Sequence, residues 1–106
     1  MVKRINIQSG AVWENKVGYS RAVRIGNIIE VSGTAAIDQD KIVFPGDPYQ
    51  QTVFIIKKIE KALKETGGSL SDVIRTRIYV TNIKDWEAVG RAHGEFFKDI
   101  KDCPRK

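Results

Sequence analysis

Few residues in this 106-residue chain are of types that do chemistry, and their spacing narrows the choice further. The polar candidates are Tyr19-Ser20-Arg21, Ser32-Gly33-Thr34, the pair Arg75 and Arg77, the single histidine His93 and the single cysteine Cys103. Hydroxyl and guanidinium groups of this kind hydrogen-bond to ligands, but their spacing alone does not single out a reaction. One histidine and one cysteine cannot supply the three or four soft ligands of a zinc site, and Cys103 cannot close an internal disulfide. Cys103 also has no histidine near it in sequence to activate it, so it is not read as a nucleophile. No Gly-rich phosphate loop, dinucleotide fingerprint, nucleophile elbow or acidic calcium loop is present. The expectation is therefore no metal and no cofactor, with His93 packed on a helix face.

Composition sets the frame in which these residues must be held. Hydrophobic residues make up 42% and charged ones 29%, which excludes disordered, collagen-like and low-complexity classes and leaves one domain. Eighteen Lys plus Arg against thirteen Asp plus Glu give a formal charge of +5. Anionic partners are permitted, but the basic residues are scattered and read as a solubilising surface. The densest cluster, Lys57, Lys58, Lys61 and Lys64, falls on the outer face of a helix. No apolar run approaches membrane-spanning length, and the N-terminus lacks the apolar core of a signal peptide, so a cytoplasmic location is expected.

Arg21-Ala-Val-Arg-Ile25 and Ile28-Ile-Glu-Val31 flank Gly26-Asn27, which predicts a β-hairpin, with Val23 and Ile25 on one side and Ala22 and Arg24 on the other. A further strand over 4–7 would place Ile5 and Ile7 on one face. Residues 35–47 read as loop, with a turn at Asp38-Gln39-Asp40. Asp47 as cap, Pro48 at the first helical position and Gln50 completing a capping box then open a helix over 48–66. Its stripe is Tyr49, Val53, Ile56, Ile59 and Leu63, and Gly67-Gly68 stops it. The alternation through 73–81 predicts a strand parallel to 28–31, joined by a right-handed crossover. Asn82 and Asp85 are cap candidates for a second helix, with Trp86, Val89, His93, Phe96, Phe97 and Ile100 on its apolar face. The order β-β-β-α-β-α puts both helices on one sheet face and leaves the other to be covered by another subunit.

Gly18-Tyr19-Ser20-Arg21-Ala22-Val23, Gly26-Asn27 and Val31-Ser32-Gly33 resemble the RidA (YjgF, L-PSP endoribonuclease) family. The resemblance runs on through Pro48-Tyr49-Gln50-Gln51-Thr52, the segment from Gly67 to Asn82, Asp85-Trp86 and Phe96-Phe97, and covers roughly residues 3–100. It implies an α+β, chorismate-mutase-like fold, with a mixed sheet and two helices on one face, in a homotrimer with small-molecule sites between subunits. It also implies hydrolytic deamination of reactive enamines and imines, such as 2-aminoacrylate, to 2-oxo acids and ammonia. A carboxylate ligand needs a cation, and the added water needs an acidic group to activate it.

By matching position, the resemblance makes Tyr19, Ser32 and Gly33 ligand-binding residues. Tyr19 is equally an interface aromatic, and Ser32-Gly33 reads first as a strand end that needs a small residue. Three departures stand against a complete site. Gly90 occupies the place of an asparagine on the second helix, and the candidate catalytic clamp, Arg105, stands one position away from the carboxylate-binding arginine of the deaminase branch, where it reads first as a solvated terminal charge. The family's last two strands, the second of which carries the water-activating acid, have no counterpart in this single domain of residues 1–106. The expected function is a RidA-like deaminase, impaired in its chemistry. The alternatives are a small-carboxylate-binding regulatory module and, less favoured, an RNA-cleaving translation inhibitor.

Overall fold

Arg4–Ile7 (β1), Ala22–Ile25 (β2) and Ile28–Val31 (β3) form an antiparallel sheet in that order in the computed structural model, which describes residues 3–100. The register sets Ile5 opposite Arg24 and Arg24 opposite Ile29, and Ile7 opposite Ala22 and Ala22 opposite Val31. Residues directly opposite share a face, so these six line one side of the sheet. Arg4, Asn6, Val23, Ile25, Ile28 and Glu30 line the other. The alternation expected in β2 is therefore present. Its less apolar side turns inward: Ala22 is completely buried, and Arg24 Nη1 donates to the Thr66 carbonyl at 2.6 Å. That carbonyl belongs to the end of a helix, where unpaired carbonyls and the helix dipole favour a cation.

The helix is Pro48–Glu65 (α2), which packs on β3. The Asp47 side chain accepts from the Gln50 amide at 3.0 Å, and Pro48 fills the first turn, where its missing N–H costs nothing. Ile56, Ala62 and Leu63 are its buried residues. Between β1 and β2 lies a one-and-a-half-turn helix, Val12–Val17 (α1), that six residues of mixed pattern did not announce. The stretch read as loop contains a small hairpin, Ile37–Asp38 (β4) with Lys41–Ile42 (β5), turned by Gln39 and Asp40 as expected.

Helix Trp86–Phe97 (α3) packs along α2, with Val89, Ala92 and Phe97 buried. Asn82 caps the preceding turn by accepting from the Lys84 amide at 3.0 Å, whereas Asp85 makes no side-chain cap. Trp86, expected on the apolar stripe, is 61% exposed at the first position of α3. The smallest dimension, 18 Å, corresponds to one strand layer and one helix layer.

The strand expected over 73–81 is corrected. Among the described residues this segment joins no ladder, and the described sheet is antiparallel throughout, so the parallel β-α-β crossover does not form. Alternating β-branched residues make a chain extended, but only a hydrogen-bonded neighbour makes it a strand. Without one, Ile74 is 73% and Tyr79 83% exposed. The segment is held against α3 by Thr76, whose hydroxyl lies 2.9 Å from His93 Nε2. No helix among the described residues is long and apolar enough to cross a membrane.

The close approach of Arg24 to the end of α2 depends on Gly67, which has φ 89° and where an added β-carbon would lie 2.7 Å from Arg24 Nη1. Gly67→Ala is expected to destabilise the fold in urea unfolding by about 1–2 kcal/mol from the left-handed backbone alone. Gly94→Ala, on α3 with nothing within 4 Å of the added carbon, is expected to stabilise it by about 1 kcal/mol.

Candidate functional site

Glu14 is the only carboxylate among the first 29 residues, and it is buried, 2% exposed, on α1. Its partners come from both sides in the chain. The Ser9 amide donates to Oε1 at 2.9 Å, the Ser9 hydroxyl donates to Oε2, and Arg21 Nε donates to Oε2 at 3.3 Å. The Arg21 side chain is itself only 6% exposed. Its Nη1 continues to the Gly33 carbonyl at 2.6 Å and to Thr34 Oγ1 at 3.0 Å. One ion pair thereby ties the loop after β1, helix α1, the start of β2 and the end of β3.

The backbone of Glu14 acts on the same neighbourhood. Its carbonyl accepts from the amides of Gly18 and Tyr19 at 2.9 and 3.0 Å, which ends α1 and sets where Tyr19 begins. Tyr19 is half-buried, with the Arg21 guanidinium carbon 5.6 Å from its ring centroid. Ser32 lies across the hairpin: its amide donates to the Arg21 carbonyl at 3.0 Å and its hydroxyl to the Ser20 carbonyl at 2.6 Å. The Ser32 hydroxyl proton is therefore engaged, and its oxygen remains an acceptor. Gly33 follows with ordinary backbone geometry, and a β-carbon there would meet nothing within 4 Å. Neither strain nor crowding among the described residues requires glycine at that position.

Tyr19, Ser32 and Gly33 thus occupy one patch, assembled from residues 19–21 and 32–34. Arg105, assigned the catalytic clamp, lies outside the described residues, as does Cys103. Arg75 and Arg77 are exposed. Sequence reasoning singled out Arg21 only as a polar candidate and missed Glu14, although a lone acid among five basic residues in that stretch was a readable signal. Behind Arg21 lies a groove of about 690 Å³ where Lys57, Lys58 and Lys61 face Asp38, Asp40 and Glu65. Its balanced charge gives no preference for a polyanion. Among the described residues no cluster of His, Cys, Asp and Glu could hold a metal ion.

Burial by itself would raise the Glu14 carboxyl, but the bonds from Ser9 and from Arg21 outweigh it and hold the group below its ordinary value. His93, half-buried with its ring centroid 4.5 Å from that of Phe97, is pushed below its ordinary value by burial. In both cases the unfolded chain binds the proton more tightly, so folding stability falls with acidification through the window between the two states. Loss is expected in two stages, the first from about pH 6.5 downward and the second from about pH 4.5 downward. Unfolding midpoints measured against pH check this: His93→Gln removes the upper stage and Glu14→Gln the lower.

Comparison with known proteins places this arrangement. The family model described as Endoribonuclease L-PSP matches residues 11–106. An uncharacterised protein of Streptomyces coelicolor is 40% identical over 95 residues, covering 90% of this chain and 71% of that protein. A RutC family protein of Pyrococcus abyssi is 33% identical over 84 residues, covering 78% of this chain and 66% of its own length. Among solved structures, a YjgF/YER057c/UK114 family member of Mycobacterium tuberculosis superposes with TM-score 0.84 at 42% identity, covering 95% of this chain and 80% of that one. A Thermotoga maritima structure at 24% identity, covering 92% of this chain and 73% of that one, shares the fold with TM-score 0.76. With the match spanning the hairpin, both long helices and the Tyr19–Gly33 patch, the chain belongs to the RidA/YjgF/L-PSP endoribonuclease family.

Proposed function

We propose that this chain binds small 2-imino and 2-oxo carboxylates at Tyr19, Ser32 and Gly33 and hydrolyses reactive enamines and imines to 2-oxo acids and ammonia, as RidA-type deaminases do. The observation that carries this reading is the open space at Gly33, beside an aromatic ring and a hydroxyl oxygen, where the fold itself has no need of glycine. A ligand lying against that backbone supplies the need.

In the reaction, water adds to the imine carbon and the tetrahedral adduct expels ammonia, leaving a carbonyl. The substrate carboxylate needs a cation, a role assigned to Arg105. An acid must also move the proton between water and nitrogen, and Glu14 cannot serve, being buried and ion-paired. The site works in a homotrimer, in one domain per chain and in the cytoplasm. Support for assembly comes from the apolar side chains that the described residues leave uncovered, Ile28 at 67% exposed and Tyr79 at 83%.

The test is imine hydrolysis coupled to an amino-acid dehydratase. Ammonia release above the uncatalysed rate is expected. Gly33→Ala, which meets no clash, should leave the unfolding temperature unchanged and lower turnover by about tenfold or more. Full turnover in Gly33→Ala would overturn the assignment of the patch, and RNA cleavage without imine hydrolysis would favour the nuclease reading.

A further inference from the structure

The ligand patch joins two chain segments that the sheet alone does not lock together. The β2–β3 ladder ends at Ala22 opposite Val31, and the Ser32 amide makes one more backbone bond, to the Arg21 carbonyl at 3.0 Å. Past that point the hold on Gly33 and Thr34 passes to a side chain, Arg21, through Nη1. Thr34 Oγ1 in turn donates to the Ser32 carbonyl at 2.9 Å, so the one guanidinium nitrogen shapes all three residues. Arg21 is aimed by Glu14, and Glu14 by Ser9.

Resting on the ligand reading above, we propose that Glu14 and Arg21 are positioning residues: their buried ion pair holds Gly33 and Tyr19 in the arrangement that receives the ligand, without touching it. Both residues are too enclosed to meet a ligand, at 2% and 5% exposed. Stability is a poor reason for such a pair, since well-packed apolar replacements of buried ion pairs are often neutral or stabilising. What apolar side chains cannot do is fix the Gly33 carbonyl and the Thr34 hydroxyl in direction. The guanidinium does so because its nitrogens form a rigid planar fork, with Nε on Glu14 and Nη1 on residues 33 and 34.

The experiment compares the wild type with Arg21→Lys, which keeps the charge beside Glu14 but loses the fork, and with the double variant Glu14→Met, Arg21→Met. Three quantities are read: the unfolding temperature, the dissociation constant of 2-oxobutanoate, and backbone order parameters at residues 32–34. Arg21→Lys is expected to remain folded, to bind 2-oxobutanoate about tenfold or more weakly, and to lower the Gly33 and Thr34 order parameters from about 0.85 towards about 0.6. The double variant is expected to match it in both while unfolding no earlier than the wild type. Unchanged order parameters in Arg21→Lys overturn the proposal, whether or not the double variant folds. So does unchanged affinity where the wild type binds. A wild type that does not bind 2-oxobutanoate counts against the ligand reading, and the order parameters then decide the positioning role by themselves.

Discussion

The arrangement of this chain's amino-terminal third depends on one buried ion pair. Removing a carboxylate and a guanidinium from water costs several kcal/mol per ion, and hydrogen bonds from the pair to its surroundings offset that cost. Here the engagement is what organises the structure. Ser9 closes around Glu14 from the loop after β1, and Arg21 carries the connection on to Gly33 and Thr34. Four segments that would otherwise meet only through short strands are fixed by a single charge pair.

A second arginine works on the same principle at the other end of β2. Arg24 points into the layer between sheet and helix and ends on the Thr66 carbonyl, so the strand and α2 are joined at a helix terminus as well as through apolar contact. Gly67 and Gly68 make room, since β-carbons there would lie 2.7 Å from Arg24 Nη1 and 2.9 Å from Ile29 Cδ1. The result is a sheet whose helix-facing side holds a guanidinium while Ile25 and Ile28 face outward. That inversion, and the exposed 73–80 segment, leave apolar surface that the described residues do not cover.

The elements legible in the sequence were those with a local physical signature. Gly26-Asn27 between two β-rich runs marked the hairpin, Asp47-Pro48 marked the start of α2, and spacings of three and four marked Ile56 and Leu63 as core. Helix α1 was illegible because six residues are too few for a periodicity. The 73–81 strand was misread because alternation reports side-chain preference, whereas a ladder requires a neighbour. The candidate site rests on resemblance, which drew attention to Tyr19, Ser32 and Gly33. Nothing in their spacing revealed that Glu14, from a separate helix, would pair with the arginine that bonds Gly33, since buried pairing is a property of the fold.

The most direct measurement is an amide-resolved NMR titration of the folded protein with 2-oxobutanoate. The account predicts saturable shifts concentrated at Tyr19, Ser32, Gly33 and Thr34, with the lysine face of α2 unaffected. Shifts confined to Lys57, Lys58 and Lys61, or none at residues 19 and 32–34 at saturating ligand, would contradict it.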